Sequence, residues 1–422
     1  MSKVHNVVSG DTLGNLSIQY LGSFSKWKKI VGVNPQLNNR RTAVDGSPLI
    51  YLGDTLIIPG EENDNLTSPQ TVSLGDGEQD VSIVIDGKKF TGFTGYEINL
   101  SCDSFDTFSF SAPYDLVVQD IKSAIMPFAF KTCKVYYLDH LLFTGYLLTP
   151  DPELQADTSE ITLQGYPKCG ILNDCTPPSS VYPIDYYNVT LKEVAEAIAS
   201  PYGIELEFRN GDGDPFAELT IEPTEKILSA LLKLAQQRKF LFTNDENGKL
   251  VFYTPESESA FMQFKQGELP LTSITAHFNA QGFYSHITGQ TKTDSLIDPL
   301  SYTYENKYLI NQGIMRHETI MVDDAETQTD LESAVLAHAG RMFADCITYS
   351  LTCEGHLNHN QELFKKGMSV CVEAPGAMIT RQTNFIARNI KLTRSENEKK
   401  TEMELVLPGS FSEEPPEVLP WE

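Results

Sequence analysis

From Val81 onward the chain alternates apolar and polar residues in short runs. VSIVID, KKFTGF, YEINLS, DTFSFSAP, AFKTCKVYYLD, HLLFTGYLL and EITLQGY follow at close spacing, broken by Gly, Asp and Pro. Period-two runs with turn residues between them predict a meandering sheet or small barrel. After about residue 256 the pattern returns in ITAHFNAQ, FYSHITGQTKT, SYTYENKYL, HETIMVDD, ITYSLTCEGH, SVCVEAP, NFIARNIKLTRS and EMELVLP. One helical period interrupts it, about Asp330 to Phe343, with Leu331, Val335, Leu336, Ala339 and Met342 on one stripe.

Between these stretches the period changes. Thr190-Leu191-Lys192-Glu193 reads as a capping box ahead of Val194, Ala195, Ala197 and Ile198. Thr224 is placed to cap a second helix carrying Ile227, Leu228, Leu231, Leu232, Leu234 and Ala235. Ile204 to Phe208 alternates like a strand, and Phe240–Thr243, a DENGK turn and Leu250–Tyr253 read as a hairpin. The first 60 residues are different again. Val4, Val7 and Val8 lead into Gly10-Asp11-Thr12-Leu13, a turn that opens a helix with Asp11 as N-cap. Trp27, Ile30 and Val31 predict a second helix, ended by Asn34-Pro35 because proline cannot continue it. Gly53-Asp54-Thr55-Leu56-Ile57-Ile58-Pro59 closes the unit as a turn and strand, giving the order β-α-α-β.

The expected class is therefore α+β, β-rich and multidomain. The expected units are a βααβ module at 1–60, an acidic linker at 61–80, a β domain at 81–170, a small α+β domain at 171–255, a second β domain at 256–412 and an extended acidic Pro-rich tail at 413–422, in which Trp421 could anchor a neighbouring subunit.

Charge sharpens this division. The 422 residues hold 32 basic and 57 acidic side chains, a net of −25. Residues 1–60 carry six basic and three acidic residues, a net of +3, which leaves −28 to the rest. Such a body repels phosphates, so specific nucleic-acid binding is not expected. No run approaches the ~18–20 apolar residues of a spanning helix, and the N-terminus has no apolar stretch of a secretory signal. The seven cysteines show irregular spacing and no CxxC, as expected for reduced, mostly buried thiols in a protein made in a cytoplasm.

Catalytic and metal chemistry finds little footing. His356 and His359 in GHLNH lack a third ligand at metal spacing, and HExxH and GxSxG are absent. Asn210-Gly-Asp212-Gly-Asp214 has the look of a calcium loop but lacks the glutamate at its twelfth position. No catalytic residue, metal or cofactor is expected.

Residues 4–59 resemble the LysM fold, a peptidoglycan- and chitin-binding module, through Gly10-Asp11-Thr12-Leu13, Trp27-Lys28-Lys29-Ile30, Asn34-Pro35 and Gly53–Pro59. The resemblance implies glycan contacts at Gly10, Asp11, Thr12, Leu13, Asn34 and Pro35. The long segment 36–51 departs from the pattern, which leaves open a module that only docks a partner.

The body resembles the hub proteins of contractile phage baseplates, in particular the Mu-like tail hub family. The resemblance rests on Val84-Ile85-Asp86-Gly87-Lys88-Lys89-Phe90-Thr91-Gly92, on Ile161-Thr162-Leu163-Gln164-Gly165-Tyr166, and on Gly355-His356, Gly367-Met368-Ser369-Val370 and Leu407-Pro408-Gly409. It implies two tube-like β-barrel domains per chain and a homotrimeric ring joining tail tube to spike. Its partners would be the tail tube protein, the spike protein and other baseplate subunits, with peptidoglycan as a further partner through the LysM module. It also implies a place in the virion after synthesis in the host bacterial cytoplasm, and no enzymatic activity. Two alternatives stay open: a LysM-targeted cell-wall hydrolase, and the hub of a contractile bacteriocin or injection system.

Overall fold

The structure is a computed structural model. It describes the chain apart from residues 1–2, 9–10, 14–15, 18–19, 21–26, 38–39, 42–47, 59–69, 76, 78–79, 115–123, 157, 239, 255–259, 293–298, 323–324, 326, 396–397 and 413. The chain divides into two compact units, residues 1–71 and 72–422.

In the first unit, β1 (Lys3–Asn6) pairs antiparallel with β2 (Thr55–Ile58), so that His5 faces Leu56 in register. Residues 13, 16, 17 and 20 are helical, and α1 (Trp27–Gly32) follows. The core is Val7, Leu13, Leu16, Ile30, Leu37, Leu56 and Ile58. Asp11, the expected cap of the first helix, has two described partners, both earlier in the chain. Its carboxylate turns back to accept from Val8 N–H at 2.8 Å and to meet His5 Nε2 at 2.8 Å, while Thr12 O receives the bond from Leu16 N–H.

Strand β3 (Gln70–Ser73) crosses the division at residue 72 and belongs to the sheet of the second unit; residues 61–69 of the expected linker lie outside the described residues. The expected runs then appear in order as β4 (Val81–Ile85), β5 (Lys88–Thr91), β6 (Gly95–Ser101), β7 (Thr107–Pro113), β8 (Thr132–Tyr137), β9 (His140–Leu154) and β10 (Ser159–Pro167). The α+β segment holds β11 (Asp185–Val189), α2 (Leu191–Ala199), β12 (Leu206–Phe208), β13 (Phe216–Thr220), α3 (Ile227–Gln237), β14 (Leu241–Asn244) and β15 (Leu250–Tyr253). The rest comprises β16 (Met262–Lys265), β17 (Leu271–Phe278), β18 (His286–Gln290), β19 (Ser301–Glu305), α4 (Lys307–Asn311), β20 (His317–Met321), α5 (Gln328–Cys346), β21 (Ile347–Glu354), β22 (Ser369–Ala374), β23 (Ile379–Arg394) and β24 (Lys399–Val406).

Fourteen of the described strands form one sheet. Its order is β17-β21-β24-β23-β6-β7-β10-β9-β8-β4-β5-β3, and β22 leaves β23 to pair with β16. The two β-rich stretches are thus joined by hydrogen bonds, because β23 pairs antiparallel with β6 from Asn389↔Ser101 to Arg394↔Tyr96. Alternation sets the faces: β7 buries Phe108, Phe110 and Ala112 and turns Thr107, Ser109 and Ser111 away. A separate three-stranded sheet, β19-β18-β20, packs against α5 through Leu331, Val335 and Ala339.

The α+β segment keeps its own core. The Thr190–Glu193 capping box forms as expected. Thr224 is not the cap of α3. Lys226 holds that position without a side-chain bond, and Ile227 N–H donates instead to Cys175 O at 2.9 Å. A backbone carbonyl thus satisfies an orphan donor that a side chain was expected to take. The stretch SYTYENKYL also splits, since only Ser301–Glu305 is strand and Lys307 opens α4. The described tail packs on its own chain: Leu419 is buried, and Trp421 Nε1 donates to Tyr308 OH at 3.1 Å with its ring 5.1 Å from Phe278. Trp421 therefore anchors the tail within the chain. All seven cysteines are free, and burial pushes the Cys133 thiol up to about 12.

Candidate functional site

In the first unit, two loops lie side by side at one end. Val7 N–H donates to Asp54 O at 2.8 Å, and Gly53 N–H returns to Val7 O at 3.0 Å. The loop after β1 and the turn before β2 are thereby zipped together. Asp11 is held by His5 and Val8; the His5 hydrogen bond lowers its pKa. Asp54 is held by the Arg40 guanidinium and by Tyr51 N–H, with Arg40 as the main cause of its lowered pKa. The turn therefore carries fixed carboxylates beneath exposed apolar side chains: Tyr51 (54%), Leu52 (75%) and Val8 (58%). Arg40 lies over the Tyr51 ring at 5.0 Å and ties the start of the long 36–51 segment back to this turn.

The six expected glycan positions do not form one exposed set. Gly10 lies outside the described residues, Thr12 is exposed and Asp11 is half-buried. Leu13 is a core residue. Asn34 is buried with its amide fully engaged: Nδ2 donates to Ile30 O and Ile57 O, and Oδ1 accepts from Ile57 N–H and Gln36 Nε2. Asn34 thus clamps β2 to the end of α1, and only its backbone could meet a ligand. Pro35 opens a short 3₁₀ turn. Tyr51 and Leu52, exposed directly before Gly53-Asp54, were not among the six expected positions.

In the second unit the polar chemistry sits where segments meet. Lys366 donates to both oxygens of Asp106 at 2.8 Å and to Asn244 O at 2.9 Å. Asp106 also accepts from Ser101 N–H and Asn244 Nδ2, and its own N–H donates to Asn244 Oδ1. One carboxylate, 1% exposed, therefore links both β-rich stretches and the α+β segment. Beside it, Arg388 on β23 donates to Asp103 at 2.7 Å and reaches Asp345 and Glu404.

His356, the residue weighed as a metal ligand, lies 1% exposed in the same seam. Its Nδ1 is 2.9 Å from Thr401 Oγ1 and its Nε2 is 3.0 Å from Tyr96 OH. Tyr96 OH donates to Asp80, which also pairs with Lys399 at 2.8 Å. Burial, and then the Lys399 charge, pull the imidazole pKa down from 6.5 to about 4. Both ring nitrogens are engaged by hydroxyls, so the ring serves as a joint between the β-rich stretches.

This fold is shared with tail proteins. A 43 kDa tail protein of prophage MuSo2 from Shewanella oneidensis matches with a TM-score of 0.67 at 19% identity, over 79% of this chain and 99% of that one. A tail protein from Neisseria meningitidis MC58 matches with a TM-score of 0.67 at 18% identity, over 80% and 99%. In sequence, residues 169–254, nearly the whole α+β segment, match the family described as baseplate hub protein gp44-like, second domain. The baseplate hub protein gp44 of Escherichia phage Mu is 23% identical over 339 residues, covering 77% of this chain and 87% of that protein.

Proposed function

We propose that this chain is the structural hub of a contractile-tail baseplate. It assembles as a homotrimeric ring that joins the tail tube to the central spike and lets DNA pass. The observation that carries this reading is the likeness to the Mu hub, which runs over 87% of that protein and includes the α+β segment. The net charge of −25 supports it, because an acidic lumen gains nothing from releasing the counterions of DNA and lets the duplex slide. Light scattering at micromolar concentration tests the ring. A trimer is expected; a monomer that also fails to close rings with its tube protein overturns it.

The first unit serves as a LysM-like module that binds peptidoglycan at the zipped loops, with Thr12 and the exposed Tyr51 and Leu52 facing the sugar. An aromatic ring beside backbone donors is the usual make-up of such a site. Residues 1–71 expressed alone should pellet with peptidoglycan, and Thr12→Trp should abolish pelleting while leaving the melting temperature unchanged. Absence of pelleting by the wild-type unit would assign it to docking within the baseplate. Released muropeptides from full-length protein would instead favour a wall hydrolase.

A further inference from the structure

Residues 126–130, Met-Pro-Phe-Ala-Phe, form an exposed apolar knob just before β8. Met126 is 50% exposed, Phe128 87% and Phe130 57%. Phe128 and Phe130 have φ of +60° and +46°, a backbone region that bulky residues rarely adopt, and this is why the alternation read as a strand from Ala129 begins only at Thr132. The knob is held from both sides. Ala124 and Ile125 are buried in the main core, and Lys131 pairs with Asp86 at 2.6 Å. Strain and solvent-exposed aromatic rings together on an anchored loop mark a surface that is completed by a partner. In a chain of net charge −25, residues 121–138, between Asp120 and Asp139, contain Lys122, Lys131 and Lys134 and no acidic residue; Lys131 is paired with Asp86, and Lys134 on β8 is exposed.

Elsewhere on the same unit lies a cavity of about 1180 Å³ lined by Tyr302, Tyr304, Leu336 and Pro416. Glu305, Glu414 and Glu417 also border it and are exposed. Tail residues Glu414, Pro415, Pro416, Glu417 and Leu419 form one wall, and the sequence 413–422 holds four glutamates and no basic residue. The groove is aromatic, proline-lined and acidic, so it complements an apolar knob set in a basic segment.

We propose that the Met126–Phe130 knob of one copy seats in the Tyr302–Pro416 groove of the next copy. This deepens the hub reading and rests on it. Knob and groove are different patches, so the contact is head-to-tail, the type that closes into a ring when the rotation per subunit fits. Specificity comes from the groove's carboxylates meeting a lysine-bearing segment, and strength from burying the two phenylalanines.

The test uses the full-length chain. Phe128→p-benzoylphenylalanine is incorporated into an equal mixture of ¹⁴N- and ¹⁵N-labelled protein, irradiated and analysed by mass spectrometry. Mixed-isotope cross-links to residues 302–308 or 408–419 are expected. The double variant Phe128→Asp, Phe130→Asp should keep its circular dichroism and melting, yet need a roughly 30-fold or higher concentration for half-assembly, the loss typical of an interface anchor. An unchanged assembly curve in that variant, or cross-links only outside the groove, overturns the knob while the ring stands. A wild-type protein that is monomeric overturns the knob together with the ring.

Discussion

Lowering the pH from 7 to 5 should weaken this fold through one histidine. His356 is 1% exposed, and burial together with the Lys399 charge sets its folded pKa near 4, against 6.5 for an open imidazole. The folded state therefore resists protonation that the unfolded chain accepts. Above pH 6.5 both states are neutral there and the folded state pays nothing. As pH falls from 6.5 to 4, the unfolded chain binds the proton first, and stability falls with it. At about 1.4 kcal/mol per pH unit the full loss is roughly 3 kcal/mol, and at pH 5 about 2 kcal/mol of it has been felt.

The comparison that isolates this group is wild type against His356→Gln, which keeps a polar side chain but cannot titrate. Guanidinium denaturation of both proteins at pH 7 and pH 5 gives the difference directly. Wild type should lose about 2 kcal/mol more than the variant over this interval, while the variant starts lower at pH 7 because Thr401 and Tyr96 lose an optimally placed ring. Parallel pH dependence in the two proteins would refute the argument. It would mean that Asp80, with the Tyr96 hydroxyl, accommodates the imidazolium despite the Lys399 charge.

Three further outcomes follow from the packing. Asp106→Ala removes both oxygens that hold Lys366 and the acceptor of Ser101 N–H, so it should cost about 3–5 kcal/mol, read from guanidinium denaturation. Asn34→Ala strands Ile57 N–H and two carbonyls in the first unit and should cost about 2 kcal/mol, read as an earlier melting transition for residues 1–71 and an unmoved one for the rest. Gly145→Ala would put a Cβ 1.9 Å from Tyr166 O across the β9–β10 pair and should cost about 3 kcal/mol, read from the melting temperature.

The strands were legible because alternation is a local signal. Val81, Ile83 and Ile85 point inward while Lys88 and Lys89 follow a tight turn, and nothing distant is needed to see it. The capping box at Thr190 was legible for the same reason. The errors arose where a partner far along the chain decided the outcome. Thr224 lost its role because Cys175 O, some fifty residues upstream, was already there for Ile227 N–H. The Asn34 amide is engaged by Ile57, 23 residues on, a pairing that no local pattern reveals. Phe130 fell within the run read as a strand and left it through its backbone angle, which composition does not reveal. The Trp421 indole finds Tyr308, 113 residues away, so the tail is packed rather than free.

The placement of charge carries a mechanical argument that the apolar cores do not. One apolar core runs through both β-rich stretches, and its attraction has no direction. Across the same joins run directed contacts: Lys366 with Asp106 and Asn244, Arg388 with Asp103, and His356 with Tyr96 and Thr401. Each of these has a direction and a length. Shifting β23 by one residue against β6 would carry Arg388 off Asp103 and turn Ile390 and Leu392 from the core to solvent. A buried ion pair adds little net stability over apolar packing, but breaking it leaves an uncompensated charge, so it opposes every alternative register. That resistance to shear is a separate property from the height of the melting point. On this argument the Arg388–Asp103 and Lys366–Asp106 pairs hold the segments joined through β6 and β23 in a single alignment.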